Sequence, residues 1–510
     1  MKSPVRLNPA SPLLLMTIVY FTFSALVPKG FAVVPPPDGG YPNFTTAEGQ
    51  NALKNLTTGS GNTGIGWFSL FSATTASFNT GIGAGALALN ITDRNTATGA
   101  AALFLNTAGT QNTANGALAL LHNDTGSFNT AVGDSALFNN TTGLGNTAIG
   151  VESLVTNTAG GFNTAVGNSA LSSNTLASDN TGLGAAALAV NTTGAENTAI
   201  GFQALLFNTT GNDNTATGSQ ALLNNNNGFA NTANGFRALS SNVGGNENSA
   251  VGSHALAQNT IGFQNNAFGS SALGSHVSGD SNNAFGFVAL YSDTGGFYNC
   301  AFGDSALVSS TGDENTAVGF AAGADLTTGN GNVYIGSAVS ALASENNHTY
   351  IRNINTTSVS GGGTDTVTIN LSTGLLGHLS SSRRYKEKIK AIGDASEALY
   401  RLNPVSYRYK REIDSTQSPA FGLIAEEVAG VNAALVARNS NGEPESVHYE
   451  MVNAMLLNEF LKEHATVQEL KKQIVGLTAI VKQQTVEIQK VSAQIGMAGQ
   501  DTIIAVTGQP

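Results

Sequence analysis

Residues 129–145 read NTAVGDSALFNNTTGLG, and the next unit opens with NTAIG at residue 146. The motif Asn-Thr-Ala-x-Gly recurs in seventeen recognisable copies, spaced by 17 residues except for two spacings of 16. In most units the glycine is followed after two residues by Ala-Leu, and then by a turn such as Asn-Thr-x-Gly. The opening asparagines are Asn62, Asn79, Asn95, Asn112, Asn129, Asn146, Asn163, Asn180, Asn197, Asn214, Asn231, Asn248, Asn265, Asn282, Asn299, Asn315 and Asn332.

The length of this unit predicts the fold of residues 45–340. Seventeen residues are too few for a helix pair or a propeller blade, but they fit one coil of a β-solenoid or one rung of a trimeric β-roll. Stretches such as Thr-Ala-Val-Gly predict short strands whose side chains alternate between two faces. We expect the leucine of Ala-Leu in the core, Gly and Asn at the turns, and stacked asparagine amides along the rod. Rungs about 4.8 Å apart predict a rod roughly 80 Å long.

Composition narrows the function classes. Only 11% of the 510 residues are charged, against a typical ~25%, and the net charge is −11. A nucleic-acid partner is not expected, because such binding relies on basic residues that neutralise phosphates. The single cysteine, Cys300, occupies a repeat position that is usually Thr and cannot form a disulfide within the chain. We predict no metal site and no cofactor.

The N-terminus has the pattern of a targeting segment. Lys2 and Arg6 precede an apolar stretch over residues 13–27, and Gly30-Phe31-Ala32 offers a small-x-small cleavage site. We predict a signal peptide over residues 1–32 and a linker over 33–44; cleavage after Ala25 and an uncleaved anchor are the alternatives. No later segment is long and apolar enough to span a membrane. The mature chain is therefore predicted to be secreted or held at the cell surface.

The role of the rod stays open between a spacer and a surface that binds a glycan or a host cell. A glycosidase would need paired carboxylates in a groove, but the acidic residues of the repeat stand singly. They are Asp134, Glu152, Asp179, Glu196, Asp213, Glu247 and Glu314. The threonines that follow the opening asparagines form a column that could bind ice, but Asn266, Asn283 and Cys300 replace threonine in it. The repeat resembles the head repeats of trimeric autotransporter adhesins, whose units also centre on an Asn-x-x-x-Gly strand but are usually shorter.

The sequence changes character after the repeat. Residues 341–380 are predicted to form a neck, with strands near 348–352 and 365–370. Residues 381–455 predict a small α+β domain: a short helix over 394–402, a strand from Val405, a strand from Phe421 that leads into a turn or helix, and a hairpin over 435–449.

A helix is predicted to begin near Glu450 and to continue in heptads over 456–495, ahead of a tail over 496–510. Its a and d positions predict a coiled coil but not its helix number; they are Phe460, Val467, Ile474, Val481, Ile488 and Ile495 at a, and Leu456, Glu463, Leu470, Leu477, Gln484 and Val491 at d.

Four motifs of this C-terminal region occur in the order of a known family. They are SSRRYKEKI from Ser381, LNPVSY from Leu402, FGLIAEEV from Phe421 and VHYE from Val447. The region resembles the intramolecular chaperone domain of phage tailspikes and tail fibres of the endosialidase type. The resemblance implies a domain that trimerises a β-fibre and then cuts itself off with a Ser-Lys dyad.

The same resemblance supplies candidate site residues. It implies Ser381 as the nucleophile, Lys386 as the general base and Ser380–Ser381 as the scissile bond. A lysine amine accepts a proton at neutral pH only where burial or nearby positive charge favours its neutral form, and Arg383, Arg384 and Lys388 could supply such charge. The family usually has Asp after the nucleophile, where this chain has Ser382.

These observations predict an exported homotrimeric fibre whose only chemistry is one self-cleavage. A non-cleaving structural fibre and a glycan-binding or glycan-degrading spike are the alternatives.

Overall fold

The computed structural model describes residues 42–354, 367–371, 375–378, 380–439 and 441–504. The predicted signal peptide and residues 33–41 of the predicted linker lie outside the described residues. The chain divides into two compact units, Met1–Thr357 and Ser358–Pro510. In the described part of the chain, no helix is long and apolar enough to cross a membrane.

The first unit is a β-solenoid with one strand of three residues in each coil. After a 3-10 turn at Pro42–Phe44, its strands are β1 Thr46–Glu48, β2 Thr63–Ile65, β3 Thr80–Ile82, β4 Thr96–Thr98, β5 Thr113–Asn115, β6 Thr130–Val132, β7 Thr147–Ile149, β8 Thr164–Val166, β9 Thr181–Leu183, β10 Thr198–Ile200, β11 Thr215–Thr217, β12 Thr232–Asn234, β13 Ser249–Val251, β14 Asn266–Phe268, β15 Asn283–Phe285, β16 Cys300–Phe302, β17 Thr316–Val318, β18 Val333–Ile335 and β19 Thr349–Ile351. Each strand pairs in parallel with the next strand of the same chain, as Thr130 does with Thr147. The predicted solenoid is confirmed, and the coils belong to one chain rather than being shared between chains.

The core of most units is built from three residues, the middle residue of the strand and both residues of Ala-Leu. The middle residue of each strand points inward and packs in the same core as the leucine of Ala-Leu. Ala131 and Leu137 are both fully buried, and their equivalents form one continuous column of small and large side chains. The predicted position of one leucine per coil in the core is therefore confirmed.

Two ladders of buried asparagines form hydrogen bonds with the backbone carbonyls of the turns. In the first ladder, the Nδ2 of Asn146 donates to the Gly160 carbonyl at 2.8 Å, and its backbone N–H donates to Asn129 Oδ1 at 2.9 Å. In the second ladder, Asn140 Nδ2 donates to Asn123 Oδ1 and to the Gly143 carbonyl, at 2.7 and 2.9 Å. Because an unpaired amide in a water-excluded site is destabilising, a repeating partner one coil away explains why the spacing stays at 17 or 16 residues.

The second ladder is interrupted near the C-terminal end of the solenoid. His276, Asp293 and Ser310 replace its asparagines, and all three are fully buried. His276 Nε2 lies 3.1 Å from the Gly279 carbonyl, and Nδ1 lies 3.1 Å from Asp293 Oδ2. Since a carbonyl only accepts, Nε2 carries the hydrogen. Asn259 Oδ1 and Ser310 Oγ, on either side of the pair, are buried and have no hydrogen-bond partner among the described residues.

Restoring the ladder should stabilise the solenoid. The double substitution His276→Asn/Asp293→Asn gives Asn259 Oδ1 a donor and removes a buried ionisable pair, which is often no more stable than a neutral replacement. We expect the free energy of unfolding to rise by about 1–3 kcal/mol in urea titrations. The single variant His276→Asn is the control and should be destabilised, because it leaves the Asp293 carboxylate buried without the imidazole. A double variant no more stable than the wild type would contradict the prediction.

The last coils close the core with aromatic residues. Tyr334 and Tyr350 take the inward position of β18 and β19, and their rings stack with centroids 5.7 Å apart. Both hydroxyls donate to the buried carboxylate of Glu345, at 2.7 and 2.8 Å. Burial and this carboxylate raise the pKa of Tyr334 well above its usual range. Strand β19 pairs in register with β18, so the ladder continues past residue 340 into the region predicted as a neck.

The second unit is small and mixed. Its elements are the strands β20 Thr368–Ile369 and β21 Leu376–Gly377, the 3-10 helices Arg383–Tyr385, Gly393–Arg401 and Ala433–Leu435, the strands β22 Val405–Tyr407, β23 Ala420–Gly422, β24 Val436–Arg438 and β25 Pro444–Val447, and the α-helices α1 Ala425–Val431 and α2 Tyr449–Ile504. Three antiparallel pairs join β20 to β21, β22 to β23 and β24 to β25. The predicted hairpin and long helix are confirmed, whereas the short helix after residue 393 is of the 3-10 type.

Candidate functional site

The predicted dyad lies on a tight turn. Ser382 opens the 3-10 helix Arg383–Tyr385, and its Oγ accepts the backbone N–H of Arg384 at 3.3 Å. Lys386 closes the same helix, and its backbone N–H donates to the Arg383 carbonyl. Serine and aspartate are both favoured as helix caps because each offers an oxygen to a free N–H. Ser382 therefore supplies here a capping bond that aspartate could also supply.

Both predicted catalytic side chains are exposed. Ser381 and Lys386 are open to solvent, whereas Ser380 and Ser382 are half-buried. Within the described residues, neither the Ser381 hydroxyl nor the Lys386 amine forms a hydrogen bond or an ion pair. The turn brings the two residues into one short segment but does not join them, and their predicted roles stay predictions.

Two other residues of the family-like motifs have different surroundings. Glu427 lies on α1 and lines a cleft of about 140 Å³ together with Arg401, Leu402, Asn403 and Ile424. His448 lies between β25 and α2; its backbone N–H donates to the Leu435 carbonyl at 2.9 Å, and Nδ1 lies 3.0 Å from Glu450 Oε1. Neither is hydrogen-bonded to Ser381 or Lys386.

A buried carboxylate holds the start of α2 against the 3-10 helix Gly393–Arg401. Glu459 is 8% exposed and accepts the hydroxyls of Ser396 and Tyr400, the latter at 3.0 Å. Lys462 Nζ lies 2.9 Å from Glu459 Oε1, and Asn458 Nδ2 donates to Ser396 Oγ at 2.7 Å. This network was not predicted from the sequence, because Ser396 and Tyr400 lie about sixty residues before Glu459. The available signal was a pair of polar residues, Asn458 and Glu459, among the apolar residues of a predicted helix.

The network makes the attachment of α2 dependent on pH. The Ser396 hydroxyl, then the Lys462 ammonium and the Tyr400 hydroxyl, lower the pKa of Glu459. A carboxylate with a lowered folded-state pKa stabilises the fold above its unfolded pKa of about 4.3, and this contribution is lost as pH falls through the folded value. We expect Glu459→Gln to be less stable than wild type at pH 7. The difference should shrink steadily below about pH 4.3.

The measurement is urea unfolding followed by helical circular dichroism between pH 7 and pH 3. Glu469→Gln is the control, because Glu469 lies on the same helix, is exposed and occupies neither an a nor a d position. A stability difference between wild type and Glu459→Gln that is the same at every pH would contradict the prediction.

From Leu456 onward, α2 carries an apolar seam that is largely exposed in the described part of the chain. The apolar a and d side chains are 45–67% exposed; they are Leu456, Phe460, Val467, Leu470, Ile474, Leu477, Val481, Ile488, Val491 and Ile495. Side chains at this spacing lie along one side of a helix.

Part of this unit matches a known protein family. Residues 381–437 match the family described as chaperone of endosialidase. The match begins at Ser381 and runs through α1 to β24, so the predicted resemblance is confirmed for this domain. A chaperone-of-endosialidase domain after a β-solenoid fits the architecture of phage tailspikes and tail fibres. Neither the search of curated proteins nor the search of solved structures gives a match.

Proposed function

We propose that this chain is the subunit of an exported, homotrimeric surface fibre, and that its chaperone domain cuts itself off at Ser380–Ser381 after assembly. The observation that carries the proposal is the order of parts along the chain. A solenoid comes first, the chaperone-of-endosialidase domain follows, and a helix with an exposed apolar seam comes last. The proposed rod is a structural or adhesive fibre.

Association between chains follows from what the seam of α2 requires. A helix that exposes ten apolar side chains on heptad positions is stable in water only when other helices cover them. Copies of the same helix supply a matching seam, and the chaperone-of-endosialidase family implies that three chains associate. Association also serves folding, since each coil of the rod resembles the next and chains that meet at one end start in register.

The proposed cut is a transfer of an acyl group followed by hydrolysis. The Ser381 hydroxyl oxygen attacks the Ser380 carbonyl carbon while the Lys386 amine takes the hydroxyl proton. The C–N bond of Ser380–Ser381 then breaks, and the Ser381 nitrogen leaves as an amine with that proton. Water hydrolyses the resulting ester, which leaves a carboxylate on Ser380 and the free hydroxyl on Ser381.

Exposure of Lys386 in the single chain fits a reaction that waits for assembly. A lysine amine can act as a base at neutral pH only where burial or neighbouring positive charge favours its neutral form. We propose that packing of three chaperone domains supplies the burial, beside Arg383, Arg384 and Lys388. The cut would then report correct assembly.

The experiment compares residues 33–510 with the variants Ser381→Ala and Lys386→Met on denaturing gels and by native mass. We expect wild type to release the fragment 381–510, and both variants to stay intact while remaining trimeric. Losing the nucleophile of such a reaction lowers the rate by several orders of magnitude.

Two further variants act as controls. Ser380→Ala keeps the nucleophile and should still cleave, and Ser382→Asp keeps the helix cap and should cleave as well. An intact wild-type chain would refute the cleavage and leave a non-cleaving fibre. A monomeric native mass would refute the trimer.

A further inference from the structure

From β2 to β19, the outward side of the strand ladder is uncharged. In β2–β18 the middle residue is buried, and in β19 it is half-buried, so the first and third residues point outward and form two columns. We call the outward residues of β2–β19 the strand face. The first column is mostly threonine, from Thr63 to Thr349, and the third column is mostly apolar, from Ile65 to Ile351. Neither column contains a charged residue between β2 and β19.

The third column exposes large apolar side chains in coil after coil. Their exposed fractions fall between 37 and 44%, and the residues are Ile65, Ile82, Ile149, Leu183, Ile200, Phe268, Phe302, Val318, Ile335 and Ile351. Phe268, Phe285 and Phe302 stack with nearly parallel rings, 4.8 and 4.6 Å apart. A column of apolar side chains that recurs in most coils exceeds the isolated exposed residues that are normal on a monomer.

Acidic residues of the solenoid lie in the turns on either side of the strand face. Asp179, Glu196 and Asp213 follow one another in the turn that precedes the strand, and Asp134 and Glu152 lie in the turn that follows it. Exposed carboxylates therefore flank the strand face but do not enter it. The pattern is that of an apolar interface with a polar rim.

We infer that the strand face is the surface on which copies of this chain pack against one another, parallel and in register. Eighteen strands about 4.8 Å apart form a face roughly 85 Å long. With a width of about 10 Å, this amounts to on the order of 800 Å² per copy, the size of a standard stable interface. This inference rests on the proposed homotrimer and adds which surface joins the rods.

The polar interruptions of the third column specify the register. The column is polar at Thr98 and Asn115, and again at Thr217 and Asn234. In a parallel, in-register assembly each of these residues meets its own copy, so no apolar side chain faces a buried amide. An antiparallel pair centred on Val166 would also match the interruptions. It would, however, leave the exposed apolar residues of β16–β19 without a partner strand.

Cysteine cross-linking tests the surface and the register together. In a full chain carrying Cys300→Ser, we introduce Ile149→Cys on the strand face, or Thr142→Cys at an exposed turn of the neighbouring coil as the matched control. We expect most Ile149→Cys chains to form covalent dimers under mild oxidation, and Thr142→Cys chains to form few. Native mass before oxidation and circular dichroism confirm assembly and folding in each variant.

A mixture of Ile149→Cys and Leu183→Cys chains tests the direction. Parallel packing links each position to itself, whereas the antiparallel pair links residue 149 to residue 183, and peptide mass spectrometry separates the two products. A trimer that cross-links at 142 or nowhere, or that links 149 to 183, would overturn the inference while leaving the homotrimer in place. A monomeric native mass would overturn the homotrimer itself.

Discussion

Replacing Gly150 with alanine is expected to unfold the middle of the solenoid. Gly150 has φ of +137°, a conformation that residues with a Cβ rarely adopt. An added Cβ would lie 2.4 Å from the Gly167 carbonyl oxygen and 2.6 Å from its carbonyl carbon. These are backbone atoms of the next coil, so they cannot move aside without breaking the strand pairing. We expect a loss of more than about 4 kcal/mol, measured by urea unfolding.

Gly145 provides the matched control five residues away. Its φ is +68°, and the equivalent position in neighbouring coils holds Phe128, Phe162 and Asp179 with φ between 57° and 62°. Gly145→Asp should therefore change the free energy of unfolding by no more than about 1 kcal/mol. If Gly150→Ala and Gly145→Asp were equally stable, close contact between coils would not explain the glycine column.

Two aspartates in the seam of α2 are expected to abolish the trimer. Ile474 and Val481 are both a positions, and their side chains are 61% and 57% exposed in the single chain. In the proposed trimer, Ile474→Asp/Val481→Asp would bury six carboxylates close together, and burial of unpaired charge is strongly unfavourable. We expect association to weaken by at least about a thousandfold, seen as a monomer by native mass at micromolar concentration.

The control places the same charges on the opposite side of the helix. Ala465→Asp/Ala479→Asp changes two f positions of α2, and adds the same net charge to exposed residues. This variant should remain trimeric. A trimer in both variants would mean that the seam of α2 does not hold the chains together. Loss of the trimer in the control would point to net charge or helix stability instead.

Most of the fold could be predicted from local sequence. Because each coil repeats the same bonds, the 17-residue period alone predicts the strands, the inward alanine and leucine, and the asparagine ladders. The motifs from Ser381 to Val447 likewise predicted the chaperone domain that the family match supports. These features could be predicted because the residues that make each contact recur at a fixed spacing or lie within one short motif.

Other features depended on contacts that no local pattern records. The leucine of each Ala-Leu, such as Leu137 with φ of 54°, adopts a left-handed conformation because that geometry directs its side chain into the core. Glu459 finds its hydroxyl partner Ser396 only when two distant segments pack together. The interruption at His276 also became visible only when its neighbours one coil away were known.

The sequence by itself determined that this chain is a repetitive β rod followed by a chaperone domain and a long helix. Only the tertiary structure decided that each chain forms its own coils, that Ser381 and Lys386 stand exposed, and that one side of the rod is uncharged. The physical reason is that hydrogen bonds along the rod repeat with the sequence. Exposure depends instead on which surfaces the folded chain leaves uncovered, and a linear pattern does not contain that information.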